Sequence, residues 1–222
     1  MKKIKNRAVQ QSKSVSIVGG GVLYDSLLSS IANADVIIGV DRGALWLLEH
    51  GITPHIALGD FDSVRPQEFK KIQKSSLRVL QYPPEKDATD LELALEEALT
   101  LNPHAVYLYG VLGRRFDHSM GGIAMLRRLV SHNIYGEIVD NFSKINIVRR
   151  GRRKFSRDQE YPYVSILPLD QSTSITLKGF RYDVTHYEFL LHSTRGISNE
   201  IPGSAAMLTI HRGMALIVRS RD

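Results

Sequence analysis

Asp35-Val36-Ile37-Ile38-Gly39-Val40-Asp41-Arg42-Gly43-Ala44-Leu45-Trp46-Leu47-Leu48-Glu49-His50-Gly51 reads as one strand, one loop and one helix. The apolar, β-branched run over Asp35–Val40 is the composition of a strand buried on both faces. It breaks at Asp41-Arg42-Gly43, and Ala44–His50 follows with helical character, closed by Gly51 as a left-handed cap. The unit recurs on either side. Val15–Val18 is a short apolar strand running into Gly19-Gly20-Gly21, and Ile56-Ala57-Leu58 is another, left through Gly59. Pro66–Lys74 reads as a helix and Leu77–Gln81 as a strand. Thr89 and Glu92 have capping-box spacing ahead of Leu91, Ala94, Leu95 and Ala98 at helical intervals. Ala105–Tyr109 and Glu137–Asp140 read as strands around a helix over Asp117–His132, with Met120, Ile123, Ala124, Leu129 and Val130 offered to the core. Such alternation predicts an α/β fold with a mainly parallel sheet and flanking helices.

After Asn141 the texture changes. Ile145–Arg149, Tyr163–Leu167, Ser174–Leu177, Tyr187–Leu191, Ala206–Ile210 and Ala215–Arg219 are short, β-branched or aromatic, and separated by turn residues. They predict a smaller antiparallel β-sandwich. The expected organisation is a basic, disordered tail over 1–14, an α/β domain over 15–140 and a β-sandwich domain over 141–222, divided at Asp140–Ser143.

At 222 residues the chain is long enough for a substantial core. The net charge of +6 would suggest nucleic acid were it spread along the chain. Five of those charges, Lys2, Lys3, Lys5, Arg7 and Lys13, lie in the first fourteen residues, so the expectation is no nucleic-acid partner. A second basic run, Arg149, Arg150, Arg152, Arg153 and Lys154, reads as an exposed turn. The chain has no cysteine, which excludes disulfides and thiolate chemistry and is compatible with a reducing compartment. Neither a signal-peptide pattern nor a run of roughly 18 apolar residues occurs. The expectation is a cytoplasmic protein with no membrane partner.

Three acidic segments follow strand-like runs: Gly59-Asp60-Phe61-Asp62-Ser63, Lys86-Asp87-Ala88-Thr89-Asp90 and Arg115-Phe116-Asp117-His118. In open α/β sheets the loops at the carboxyl ends of strands converge on one crevice. Carboxylates gathered there repel unless a cation joins them, and hard oxygen donors suit Mg²⁺ beside a polyphosphate. In an extended loop Asp60 and Asp62 would point to one side. Asp87 and Asp90, one turn apart at a helix start, would share a face. Arg115 has the fork to clamp a phosphate, while Asp117 is open to orienting Arg115 or His118, ligating metal or capping a helix. Gly19-Gly20-Gly21 is a place where backbone N–H groups could meet phosphate.

In this order, Asp41-Arg42-Gly43, Gly59–Ser63, Lys86–Asp90, Gly113-Arg114-Arg115-Phe116-Asp117-His118 and Ser198-Asn199-Glu200 resemble the thiamine pyrophosphokinase family, from about Ser14 to the carboxyl terminus. The resemblance implies Mg²⁺-dependent transfer of pyrophosphate from ATP to the hydroxyethyl group of thiamine, giving thiamine diphosphate and AMP. It also implies a homodimer with active sites between the α/β domain of one subunit and the β domain of the other. By resemblance Asp60, Asp62 and Asp90 serve Mg²⁺ with support from Asp87. Gly19, Asp41, Arg115 and Asp117 hold ATP, and Lys86, Thr89, Ser198 and Asn199 surround thiamine. Asp60, Asp90 and Arg115 are the expected catalytic groups, with the proton acceptor open between Asp60 and Asp90. Arg114 stands where the family usually has glycine. The thiamine-stacking aromatic of some members has no counterpart that the sequence names. A metal-dependent glycosyltransferase would use Asp60 and Asp62 but leaves the other motifs without a role.

Overall fold

The computed structural model describes residues 13–113 and 115–222, so the basic segment 1–12 and Arg114 lie outside the described residues. Six strands form the parallel part of the sheet: β1 (Ser14–Val18), β2 (Val36–Val40), β3 (Ile56–Gly59), β4 (Arg78–Gln81), β5 (Ala105–Tyr109) and β6 (Tyr135–Val139). Between them run α1 (Leu28–Ala32), α2 (Arg42–Glu49), α3 (Pro66–Ser75), α4 (Asp90–Thr100) and α5 (Phe116–Ser131). The spatial order is β6-β5-β1-β2-β3-β4, all parallel. The direction of winding reverses at β1, where β2 lies on one side and β5 on the other. This is the switch point at which loops diverge to leave a crevice.

Helices cover both faces. Ala94, Leu95 and Ala98 of α4 and Leu126 and Leu129 of α5 pack with Val15, Ile17, Ile38 and Leu108 into one core. Leu27, Ile31 and Leu47 cover Val18, Ile37 and Tyr109 on the other side, and Ile72 of α3 joins Ala57 and Phe61. Gly122, Leu126 and Leu129 are the buried positions of α5, whereas Met120, expected in the core, is exposed.

The remaining strands are β7 (Ser143–Ser156), β8 (Tyr163–Pro168), β9 (Ser172–Lys178), β10 (Val184–Leu190), β11 (Asn199–Glu200) and β12 (Ala205–Ser220). β7 pairs antiparallel with β6 (Glu137↔Asn146) and carries the sheet onward instead of starting a detached one. It is paired along its length by β12. On its far side β12 meets β9 through Met207–Arg212 and β8 through Ala215–Ser220. The sheet therefore splits into a β9–β10 branch and a β8–β11 branch, and Val164, Ile166, Ile175, Leu177, Phe189, Leu208, Ile210 and Ile217 fill the small sandwich core. Two sequence expectations change here. Arg149–Lys154 is strand and not a turn, because β12 holds those backbone groups in register (Arg152↔Thr209). Ala206–Ile210 and Ala215–Arg219 are halves of one bent strand, broken by a bulge beside Gly213. No helix among the described residues is long and apolar enough to cross a membrane.

Candidate active site

Asp41 and Asp60 follow the carboxyl ends of two hydrogen-bonded parallel strands, β2 and β3, whose register pairs Val40 with Leu58. Asp90 is the first residue of α4. Thr89 caps that helix, accepting the Glu92 N–H at 3.2 Å, as its spacing predicts. One carboxylate oxygen from each of Asp41, Asp60 and Asp90 lies within 4.8 Å of the others.

The local backbone explains which acids meet. Asp41 has φ 46° and Phe61 φ 59°, so neither exit loop continues extended. The Phe61 N–H donates to Asp41 Oδ1 at 3.0 Å, tying the two loops together. The Asp62 N–H donates to Asp60 Oδ1 at 3.2 Å, a local turn in place of the extended geometry expected for Asp60 and Asp62. Asp62 is exposed and outside the three-carboxylate set. Asp87 is also exposed: α4 starts at Asp90 and Thr89 is extended (ψ 156°), so Asp87 precedes the helix and shares no helical face with Asp90.

Lys86, expected beside thiamine, closes the acidic group instead. Its Nζ donates to Asp60 Oδ2 at 2.9 Å and to the Pro83 carbonyl at 3.3 Å, and forms an ion pair with Asp90 Oδ1 at 2.9 Å. That pair lacks hydrogen-bond geometry, and Asp90 Oδ1 is buried without a hydrogen-bond donor. The hydrogen bond from Lys86 holds Asp60 below the usual carboxylate range. Burial alone would lower Lys86, but its hydrogen bond to Asp60 and its ion pair with Asp90 outweigh it and hold the ammonium above its usual range. Burial pushes Asp41 up to about 7; the Phe61 N–H opposes the rise, and the charges of Asp90, Asp60 and Asp62 add to it. Three convergent carboxylates, one with an oxygen that receives no hydrogen bond, are a donor set that fits a hard divalent cation.

The other expected residues stand around this centre. The Gly19 N–H donates to the Tyr109 carbonyl and the Gly21 N–H to the Gly110 carbonyl, each at 2.8 Å. The glycine loop is thus closed against the end of β5, with a Cβ at Gly19 brought 2.9 Å from Gly110 O. Those two N–H groups are committed, against the expectation that they meet phosphate. Arg115 occupies the N-cap position of α5 without a side-chain capping bond and pairs with Asp117 (Nη2 to Oδ2 2.5 Å, Nε to Oδ1 3.3 Å); both are exposed. Of the roles open to Asp117, orienting Arg115 is the one the geometry displays. The His118 side chain makes no hydrogen bond or ion pair among the described residues.

Ser198 and Asn199 lie in the strand-rich half, with no hydrogen bond or ion pair to the acidic group among the described residues. Ser198 is exposed with φ 56°, its N–H donating to Ser165 Oγ at 3.1 Å. Asn199 is buried. Its Oδ1 accepts from the Tyr182 N–H at 3.1 Å and its Nδ2 donates to the Tyr182 carbonyl at 3.0 Å. This pair of hydrogen bonds fixes the backbone of Tyr182, a residue that is 62% exposed. The sequence reading did not single out Tyr182; its placement follows from Asn199, which is distant in sequence.

Two family models match the chain, "Thiamin pyrophosphokinase, catalytic domain" over residues 27–137 and "Thiamin pyrophosphokinase, vitamin B1 binding domain" over residues 152–215. A curated thiamine pyrophosphokinase of Bacillus subtilis (strain 168) is 35% identical over 213 residues, 95% of this chain and 100% of the relative. The chain belongs to the thiamin pyrophosphokinase family. The crystal structure of thiamine pyrophosphokinase from Bacillus subtilis superposes with a TM-score of 0.88 at 35% identity, covering 95% of this chain and 100% of that one. That of thiamin pyrophosphokinase from Geobacillus thermodenitrificans gives 0.83 at 33% identity, covering 94% and 98%. Family membership makes the chain an enzyme, and the acidic group lies within the segment matched by the catalytic-domain model.

Proposed function

We infer that the chain transfers pyrophosphate from ATP to the hydroxyl of thiamine, with Asp41, Asp60 and Asp90 holding Mg²⁺. The observation that carries this reading is the convergence of those three carboxylates at the carboxyl edge of the parallel sheet. The bound cation would supply charge neutralisation to the phosphate oxygens. The thiamine hydroxyl attacks the β-phosphorus of ATP in line. An O–P bond forms, the bond from the β-phosphorus to the bridging oxygen breaks, and AMP departs with that oxygen. The hydroxyl proton passes to a carboxylate, Asp60 or Asp90. Arg115, pre-oriented by Asp117, offers a guanidinium to the charge that builds up on the phosphates. Most of the acceleration comes from positioning, since such transfers ask little covalent work of the protein.

On this reading residues 15–140 carry nucleotide and metal, and 141–222 carry thiamine and the dimer contact. Thr89 and Ser198 are proposed to line the thiamine site, together with Asn199 acting through Tyr182, whose backbone it holds and whose exposed ring offers an aromatic face. The homodimer is supported by exposed apolar side chains at both places, Phe116 and Met120 on α5 and Tyr182, Leu190, Leu191 and Ile197 on the strand-rich half. Absence of cysteine favours the cytoplasm. The test is mass spectrometry of a reaction with thiamine, ATP and Mg²⁺. Thiamine diphosphate and AMP in equal amounts are expected; ADP with thiamine monophosphate, or no product, overturns the reading.

A further inference from the structure

We propose that Lys86 is a tethered counter-ion for the acidic group, and that its ammonium must give up its place before a divalent cation can be held by Asp41, Asp60 and Asp90. This rests on the reading of that group as the metal site. Lys86 Nζ lies 2.9 Å from Asp60 Oδ2 and 2.9 Å from Asp90 Oδ1, and its side chain is only 12% exposed. A Mg²⁺ held through Asp60 Oδ2 and Asp90 Oδ1 would sit about 2.0–2.1 Å from each. An ammonium 2.9 Å from both oxygens and a metal at that range compete for the same two atoms. One of them must leave.

Why the chain would keep such a residue follows from charge. Three carboxylates within 4.8 Å of one another repel strongly when they are removed from bulk water. Lys86 precedes Asp90 by one helical turn's spacing and sits on the loop between β4 and α4, so its charge arrives with the segment that delivers Asp90. It offsets the repulsion while the site is without metal and keeps the oxygens gathered. The Pro83 carbonyl, 3.3 Å from Nζ, anchors it to its own loop, so a released ammonium stays within reach of whatever anion accompanies the metal. A lysine suits this use because its ammonium is a point charge on a flexible stem, with no fixed fork to hold the carboxylates after exchange.

The test is Mn²⁺ binding followed by the EPR signal of free Mn²⁺, at fixed pH and ionic strength, for the full chain and its Lys86→Met and Lys86→Gln variants. Each titration is run alone and with α,β-methylene-ATP, which resists cleavage at the bond in question. Both variants are expected to bind Mn²⁺ at least tenfold more tightly than wild type without nucleotide, equivalent to about 1.4 kcal/mol. Their melting midpoints in EDTA are expected to fall, and to recover more on adding Mn²⁺ than wild type gains. Lys86→Gln keeps a hydrogen-bond donor without the charge, so it reports on charge even if Lys86→Met fails to fold. Unchanged or weaker Mn²⁺ binding in the variants overturns the counter-ion role alone. No Mn²⁺ bound by wild type in either arm removes the metal reading beneath it.

Discussion

A methyl group added to Gly59 would overlap the carboxylate of Asp41, because the two strand exits pass so closely that only a hydrogen atom fits between them. Gly59 also has φ 148°, a conformation side chains rarely adopt. The acidic group therefore depends on a residue that carries no functional group. Gly59→Ala is expected to lower turnover by about a hundredfold or more and stability by about 1–3 kcal/mol. Steady-state AMP release and urea unfolding, measured on the same preparation, check both; near wild-type values in both would show that the exits can separate freely.

Asp60→Asn keeps the shape of the side chain and removes one charge from the cluster. The expected outcome is a loss of about a hundredfold or more in AMP formation with an unchanged circular dichroism spectrum, the scale on which single electrostatic groups act at a reacting centre. Turnover within a few-fold of wild type in saturating Mg²⁺ would take Asp60 out of the site.

Asp41 sets a pH dependence. Its carboxyl is raised from 3.8 in the unfolded chain to about 7 in the folded one. The folded state then holds the proton more tightly, so the contribution of Asp41 to stability is full below about pH 4 and is lost as pH rises towards 7. Allowing for its partial exposure, the loss is on the order of 2 kcal/mol. In EDTA, the stability of wild type relative to Asp41→Asn should fall by that amount between pH 4.5 and 7.5. Divalent affinity of wild type should rise over the same interval, since proton and metal compete for the carboxylate. A flat difference across the interval would place Asp41 in an ordinary solvated environment.

Tyr182 tests the proposed thiamine face. Tyr182→Ala is expected to raise KM for thiamine about tenfold with little change in KM for ATP, and Tyr182→Phe to stay near wild type, because the ring and not the hydroxyl is offered. Asn199→Ala, which frees the backbone of Tyr182, should fall between the two. Equal effects on both substrates would point to a general structural role.

Much of this was legible in the sequence, and the parts that were not have physical reasons. The strand–helix alternation, the Thr89 cap and the change of texture after Asn141 are local signals, and the structure follows them. Asp41 beside Asp60 is not local: the two are brought together by adjacency of β2 and β3 and by left-handed backbone at Asp41 and Phe61, neither of which spacing reveals. Asp62 and Asp87, attractive by spacing, fall outside the cluster once the loop turns at Phe61 and α4 begins only at Asp90. The Arg149–Lys154 run looked like a turn because its charges masked a strand whose regularity comes from β12, a partner more than fifty residues away.

The long strands β7 and β12 have a mechanical consequence. A pair of fourteen- and sixteen-residue strands crosses from the helix-covered half into the sandwich, so the halves share hydrogen-bonded cross-beams instead of a peptide joint. Swinging one half against the other would shear that ladder, and severing the chain near Asn141 would leave raw edges on both pieces, open to aggregation. A hinge placed between the two halves would have to break that ladder.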